Sequence, residues 1–501
     1  NFYGQLGNGD AGRRTQTSPV LASNLTGTGT LDVLATGAYS TCAVTHTGAG
    51  SSVLCWGNDD NGLLGDHPRV VDRWFATQIP AFSNVKVLGG GYSTSCARVD
   101  FGTGVLEADC WGYNFDGEFG DGSFIDHAKA GALPSRWSAA LQIVAGLHHL
   151  CALLGDAVTV ECAGFDGDGE LGDASNTSSN TPVKVVGLGS GGVTQLVAGD
   201  YHTCALLADS TVKCWGVNST GALGTGDTGG QTFALKSVIG LSGVNKLAAG
   251  SYHTCALVSG QIECWGADGY GQLGDGDGAL ANKSSPVFVT NMTTATDIVA
   301  GFNHTCARVG TNAHLQCWGD NTYGQLGIGD SSVSRVNHPI DVDASANLTN
   351  VSSLSAGGNT TCAEAFGIAG CWGANDHGQL GIGSADTNSH ATPSAALTAN
   401  GLAMTDIAEV NVGTDHAALA RRATTCAAGV TASTGNSVSA RSATALRLSR
   451  PTTRSSPTAS TVTRSRFAFR LHDETRRTRC GAFRFPPAIS HGDLFPRRCI
   501  P

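Results

Sequence analysis

Gly-x-x-His-Thr-Cys-Ala, a short gap, Cys-Trp-Gly, four more residues and Gly-Gln-Leu-Gly recur in that order, with substitutions, along nearly the whole chain. The most complete copy runs from Ser251 to Gly276. Its last piece begins at Gly4, Gly62, Gly117, Gly169, Gly221, Gly271, Gly324 and Gly378, so successive copies lie 50 to 58 residues apart. A near-constant period of that size means one supersecondary unit repeated in tandem.

The unit reads as strands. Between Ser284 and Trp318 lie four short apolar-rich runs, 286–289, 297–300, 304–309 and 315–318, bounded by Gly, Asn, Ser or Thr. No window holds apolar residues at spacings of three and four for long enough to make a helix. Four short strands per unit of about 50 residues make a propeller blade. The expected fold is therefore all-β, a β-propeller of seven four-stranded blades, with eight as the alternative. The 69 glycines suit its tight turns.

Cysteine placement sharpens the unit. Of 17 cysteines, 14 fall as seven pairs: Cys42 and Cys55, Cys96 and Cys110, Cys151 and Cys162, Cys204 and Cys214, Cys255 and Cys264, Cys306 and Cys317, Cys362 and Cys371. A two-residue turn at Ser259-Gly260 pairs Val258 with Gln261 and sets Cys255 opposite Cys264. Directly opposed residues of an antiparallel pair are close enough for a disulfide. No intact unit keeps one cysteine and loses the other, as a covalent bridge requires. The pattern points to an exported protein, extracellular or on the cell surface, with a disulfide inside each blade. The alternative is a cytoplasmic protein with buried free thiols.

Charge divides the chain. Residues 1–416 carry 15 basic and 37 acidic groups, a formal charge of −22, which repels phosphate backbones and argues against nucleic acid as a partner. No apolar run reaches 18 residues, so no helical membrane span is expected. The chain starts inside a unit, at Asn1-Phe-Tyr-Gly-Gln-Leu-Gly, and we read 1–416 as an N-terminally truncated propeller. Residues 417–501 hold 15 Arg, no Lys and three acidic residues. We read them as an out-of-frame or disordered Arg/Ser/Thr-rich tail. Displacing the reading frame over Cys426 to Ala440 permits Arg-Cys-Trp-Gly, a four-residue spacer and Gly-Gln-Leu-Gly-Ile-Gly, the pieces missing after His416.

Few residues invite chemistry. His149, His202, His253 and His304 sit at one equivalent place in four units, so they are spread around a ring and cannot meet at a metal or a substrate. We expect each to bond neighbouring backbone or turn groups, which Ser40, Thr94 and Thr360 would do in other units. Trp56, Trp111, Trp215, Trp265, Trp318 and Trp372 are expected to pack between blades, and Ala163 replaces the indole in the third unit. The acidic loops Asp166-Gly-Asp168-Gly-Glu170 and Asp275-Gly-Asp277-Gly could suit calcium but lie on the blade turn, where turn chemistry explains them. No catalytic residue, cofactor site or metal site is assigned. The longer inserts, 65–79 with Trp74 and Phe75 and 120–137 with Phe124 and Trp137, are the candidate partner-binding loops, and packing of these aromatics over a blade edge is the equal alternative.

The residues His253-Thr-Cys-Ala-Leu, Cys264-Trp-Gly and Gly271-Gln-Leu-Gly resemble the repeat of the regulator of chromosome condensation family, and the resemblance covers 1–416. It implies a ring of seven blades, and the cysteine-paired form is similar to the bacterial branch. The family's fold hosts unrelated tasks, so the resemblance selects none of them. The expected function is a non-catalytic, monomeric scaffold that binds a still unidentified protein partner. A guanine-nucleotide exchange factor-like regulator of a small GTPase is the alternative.

Overall fold

The computed structural model describes residues 30–37, 40–47, 50–57, 73–78, 85–90 and 94–100, then 106–421 except for 133–136, 138–139, 230, 344–347, 383, 398–401 and 415. Its strands form seven four-stranded antiparallel sheets, each a simple meander in chain order, and one two-stranded sheet. There is no helix among the described residues. In the fifth sheet the strands are Val244–Ala249, His253–Val258, Gln261–Gly266 and Lys283–Phe288. These are blades, numbered here one to seven along the chain.

The innermost strands follow one another around an axis. Backbone bonds link the loops after them in series: Leu147 N–H to Asp200 O (2.9 Å), Asp200 to Ser251 (3.2 Å), Ser251 to Phe302 (3.2 Å) and Phe302 to Gly358 (3.0 Å). The two-stranded sheet, Ile407–Val412 with Ala417–Arg421, occupies an eighth place between blades seven and one. Val410 and Val412 N–H donate to Ser353 and Ser355 Oγ of blade seven, both at 3.1 Å. On its other side Thr36 Oγ1 of blade one donates to Asn411 Oδ1 at 2.6 Å. In this hairpin Ala418 faces Asn411, the register place that holds the first cysteine in the full blades. The rest of the tail, beyond Arg421, lies outside the described residues, as does the partial unit at the start.

The hairpin turn behaves as expected, with Val258 opposite Gln261 and Cys255 opposite Cys264. Disulfides join Cys96–Cys110, Cys151–Cys162, Cys204–Cys214, Cys255–Cys264, Cys306–Cys317 and Cys362–Cys371, with Cα atoms 4.1 or 4.2 Å apart. Cys42 is also disulfide-bonded and stands opposite Cys55 in register. The core lies between blades rather than within them. One cluster joins Cys255, Ile262 and Leu273 of blade five to Ile298, Ala307 and Trp318 of blade six.

Each piece of the motif serves this junction. Trp265, Trp318 and Trp372 are fully buried, and their Nε1–H groups donate to Ala222, Gln272 and Gln325 carbonyls of the preceding blade at 2.8–2.9 Å. Gly274 closes the Gly-Gln-Leu-Gly turn at φ +67° and lies so close to the Trp318 indole that a Cβ there would stand 2.7 Å from it. Blade three, with Ala163, lacks that indole. Trp137 from the insert enters the gap: it is fully buried in one cluster with Phe119, Leu150 and Ala163. This corrects its assignment as a partner-binding residue, because a large ring displaced into a vacant core position gains more from burial than exposure would give.

The repeated histidines form a ladder between blades. His149, His202, His253 and His304 Nε2 lie 2.8–2.9 Å from Thr203, Thr254, Thr305 and Thr361 Oγ1 of the next blade. Thr361 Oγ1 donates to Gln325 O, so it must accept from His304 Nε2–H. The partner is thus a neighbouring blade's hydroxyl rather than backbone of the same turn, a contact that one unit's sequence cannot display. Thr360, at the same place, donates to Ala374 O inside its own blade.

Burial holds these imidazoles neutral. The His253 pKa is lowered to about 3 by desolvation, with smaller contributions from His202 and His304. A buried group with a depressed pKa gives stability that is present above the unfolded value near 6.5 and lost as pH falls toward the folded value. His253→Gln is expected to flatten the acid side of the stability curve by about 1.4 kcal/mol per pH unit below 6.5. Urea midpoints of both forms at pH 7.5 and pH 5 measure it. An unchanged difference between the two pH values contradicts it.

Candidate functional site

The chain after each Cys-Trp-Gly is pinned by two local devices. The second spacer residue, Asn114, Asp166, Asn218, Asp268, Asn321 or Asn375, accepts through Oδ1 from the N–H five residues on, at 2.8–3.2 Å. The side chain at the second position of Gly-Gln-Leu-Gly accepts from the N–H two residues back, as Gln272, Gln325 and Gln379 do at 2.9 Å. Asp166 is spent on Leu171 N–H and Ser175 Oγ, and Asp275 and Asp277 pair with Lys283. Both acidic loops therefore carry turn and ion-pair duty.

On this face the loop preceding the histidine presents His148 from blade three, Tyr201 from blade four and Tyr252 from blade five. Tyr201 and Tyr252 stack, with centroids 5.8 Å apart and planes at 24°. His148 lies 6.4 Å from Tyr201, 6.4 Å from Phe165 and 6.3 Å from Tyr113, which in turn is 6.4 Å from Phe115. A row of rings thus crosses blades two to five. Phe115 is 69% exposed, and nearby in the chain Phe124 and Ile125 are 56% and 67% exposed.

Carboxylates flank the row. Tyr113 is pushed up to about 12 by burial, then by Asp116, Glu118 and Asp126. Burial and then Asp200, Glu170 and Asp168 raise Tyr201, and burial, Tyr201 and Asp200 raise Tyr252. Glu118 and Glu170 stand where blades five, six and seven place Gln, and burial pushes them up to about 8 and about 7. The face is aromatic and electronegative at once.

A cavity of about 250 Å³ opens on the axis, lined largely by main chain at Gly146, Gly199, Gly250, Gly301, Gly358 and Gly413. Asp200 is the titratable side chain among its lining residues, and burial raises its pKa. Of the partner-binding candidates, Phe124 is exposed and Trp137 is not; the side chains of Trp74 and Phe75, on the strand Arg73–Gln78, lie outside the described residues. Sequence reading passed over the aromatic row because His148, Tyr201 and Tyr252 sit in the variable positions of Gly-x-x-His. Counting rings at that one position across the units would have found three of its members.

Two family models for the regulator of chromosome condensation (RCC1) repeat match the chain, one at 162–206, 259–308, 314–363 and 371–420, the other at 193–222 and 295–325. The ultraviolet-B receptor UVR8 of Arabidopsis thaliana is 28% identical over 285 residues, 54% of this chain and 62% of the receptor. The human probable E3 ubiquitin-protein ligase HERC6 is 30% identical over 271 residues, 52% of this chain and 25% of the ligase. The chain thus spans less than two thirds of either relative. Among solved structures, human WBSCR16 superposes with a TM-score of 0.59 at 20% identity, covering 74% of this chain and 99% of that one. Prp20p from Saccharomyces cerevisiae gives 0.56 at 19% identity, covering 84% and 90%. At these identities the two structures show the fold alone.

Proposed function

For a chain built of RCC1 repeats in tandem, we infer a non-catalytic, monomeric propeller scaffold that binds a protein partner outside the cytoplasm, through the loop face that carries the aromatic row. The stacked Tyr201–Tyr252 pair, with Asp200 and Asp168 beside it, carries the reading. The described indoles are buried between blades, which leaves the loops for recognition. Half-buried rings held rigid on a scaffold give contact area at low entropic cost, and those among carboxylates suit Lys and Arg, by ion pairing and by cation–π contact. A formal charge of −22 on residues 1–416 favours encounter with a basic segment. The disulfides support an oxidising compartment.

Yeast Prp20p has binding properties toward Gsp1p and histones. The exchange-factor alternative rests on that likeness, which at 19% identity speaks for the fold.

The test uses the full chain with fluorescent Lys/Arg-rich and Glu/Asp-rich peptides of equal length, read by anisotropy. The basic peptides are expected to bind and the acidic ones not, with at least a tenfold weakening in Tyr201→Ala/Tyr252→Ala. Equal binding by the variant, or no preference for the basic peptides, overturns the reading.

A further inference from the structure

At the junction of blades two and three the repeat breaks its own rule. Between blades six and seven, Gln325 Nε2 points at Asn359 Oδ1 (3.5 Å), an amide donor facing an amide acceptor. The corresponding positions between blades two and three hold Glu118 and His148. Glu118 Oε2 accepts from Asp116 N–H at 3.2 Å, the same turn bond that the glutamines make. Its other oxygen, Oε1, replaces a donor with an acceptor, is buried and has no hydrogen-bond partner; the residue is only 1% exposed. Such an atom costs about 1–3 kcal/mol unless something satisfies it, and more if it is charged.

Two further groups converge on that oxygen. Asp116, Glu118 and His148 each offer a ligand atom, all within 4.8 Å of one another, and they are the one such group of three among the described residues. His148 Nδ1 is shielded from solvent and makes no aligned hydrogen bond, although Asp116 Oδ2 lies 3.0 Å away. Among the described residues no Lys or Arg pairs with either carboxylate. Two carboxylates and an imidazole nitrogen, two of the three ligand atoms buried without a donor, form a set that a cation between them would satisfy.

We propose that Asp116, Glu118 and His148 bind a divalent transition-metal ion of the Zn²⁺ class at the blade two–three junction. One nitrogen and two carboxylate oxygens form a borderline set, which suits Zn²⁺ and its neighbours better than the all-oxygen shells of Ca²⁺ or Mg²⁺. Zinc bonds of about 2.0–2.2 Å in tetrahedral geometry place ligand atoms about 3.3 Å apart, close to the 3.0 Å between Asp116 and His148 and reachable by small rotations. Three protein ligands leave a fourth position open at the mouth of the aromatic row. The site shares His148 with the aromatic row, but its test reads metal binding alone and leaves Tyr201 and Tyr252, on blades four and five, untouched.

The experiment is calorimetric titration of metal-free full chain with Zn²⁺, and with Co²⁺ read by its visible absorption. The comparison variant, Glu118→Gln/His148→Asn, restores the amide pair that blades six and seven already accommodate, so it is expected to fold. One equivalent of Zn²⁺ binding at micromolar or tighter Kd, with a tetrahedral Co²⁺ spectrum, is expected in the parent, weakened at least a hundredfold in the variant. No stoichiometric binding by the parent, or binding that the variant retains, overturns the proposal.

Discussion

Reduced with dithiothreitol at neutral pH, the purified chain is expected to unfold at urea concentrations where the oxidised chain is still native. Six of the bridges, those with both cysteine side chains among the described residues, close loops of 9 to 14 residues. On the chain-entropy account each such loop contributes about 2.5–3 kcal/mol, or about 15–18 kcal/mol for six. A typical domain retains only about 5–15 kcal/mol in all. Because each core cluster is shared by two blades, a blade whose hairpin opens also uncovers its neighbour's indole. Fluorescence of the buried tryptophans follows the transition. Coincident midpoints for oxidised and reduced protein would show that the sulfurs add little beyond ordinary small core residues.

The second large effect is expected from a single methyl group. In Gly250→Ala the new Cβ would stand 2.2 Å from His253 Cε1 and 2.5 Å from Gly301 O of the next blade. The carbonyl cannot move without disturbing the inner belt, so the imidazole must leave. That breaks its bond to Thr305 and strands a buried polar ring. Overpacking and a lost buried hydrogen bond together should cost about 3–5 kcal/mol. Gly278→Ala is the control: nothing lies within 4 Å of its Cβ and the position is exposed, so a change within about 0.5 kcal/mol is expected. Urea midpoints of the two variants decide it, and equal tolerance at both positions would contradict the packing described.

The architecture was readable because the repeat is local and redundant. Cys255 and Cys264 face each other through a turn that eight consecutive residues specify, and every blade repeats the statement. The junctions were harder to read, because their partners lie about 50 residues apart and belong to different copies. His253 to Thr305 joins two instances of one motif, which a single unit cannot reveal. Trp137 was ambiguous for the same reason: its loop looks like a free insert until Ala163, in the next blade, is seen to leave a gap. Glu118 appears in sequence as a mild variant of Gln. Only its burial and the approach of His148 from across the junction give it chemical weight.

Peptide mapping by mass spectrometry under non-reducing conditions, after blocking free thiols, bears most directly on the self-bridged blade. Each cysteine of the seven pairs is expected to be joined to its partner 9 to 14 residues away, Cys255 to Cys264 and Cys96 to Cys110 among them. Free thiols at these positions, or bridges running from one repeat to another, would contradict the fold as a ring of individually stapled sheets.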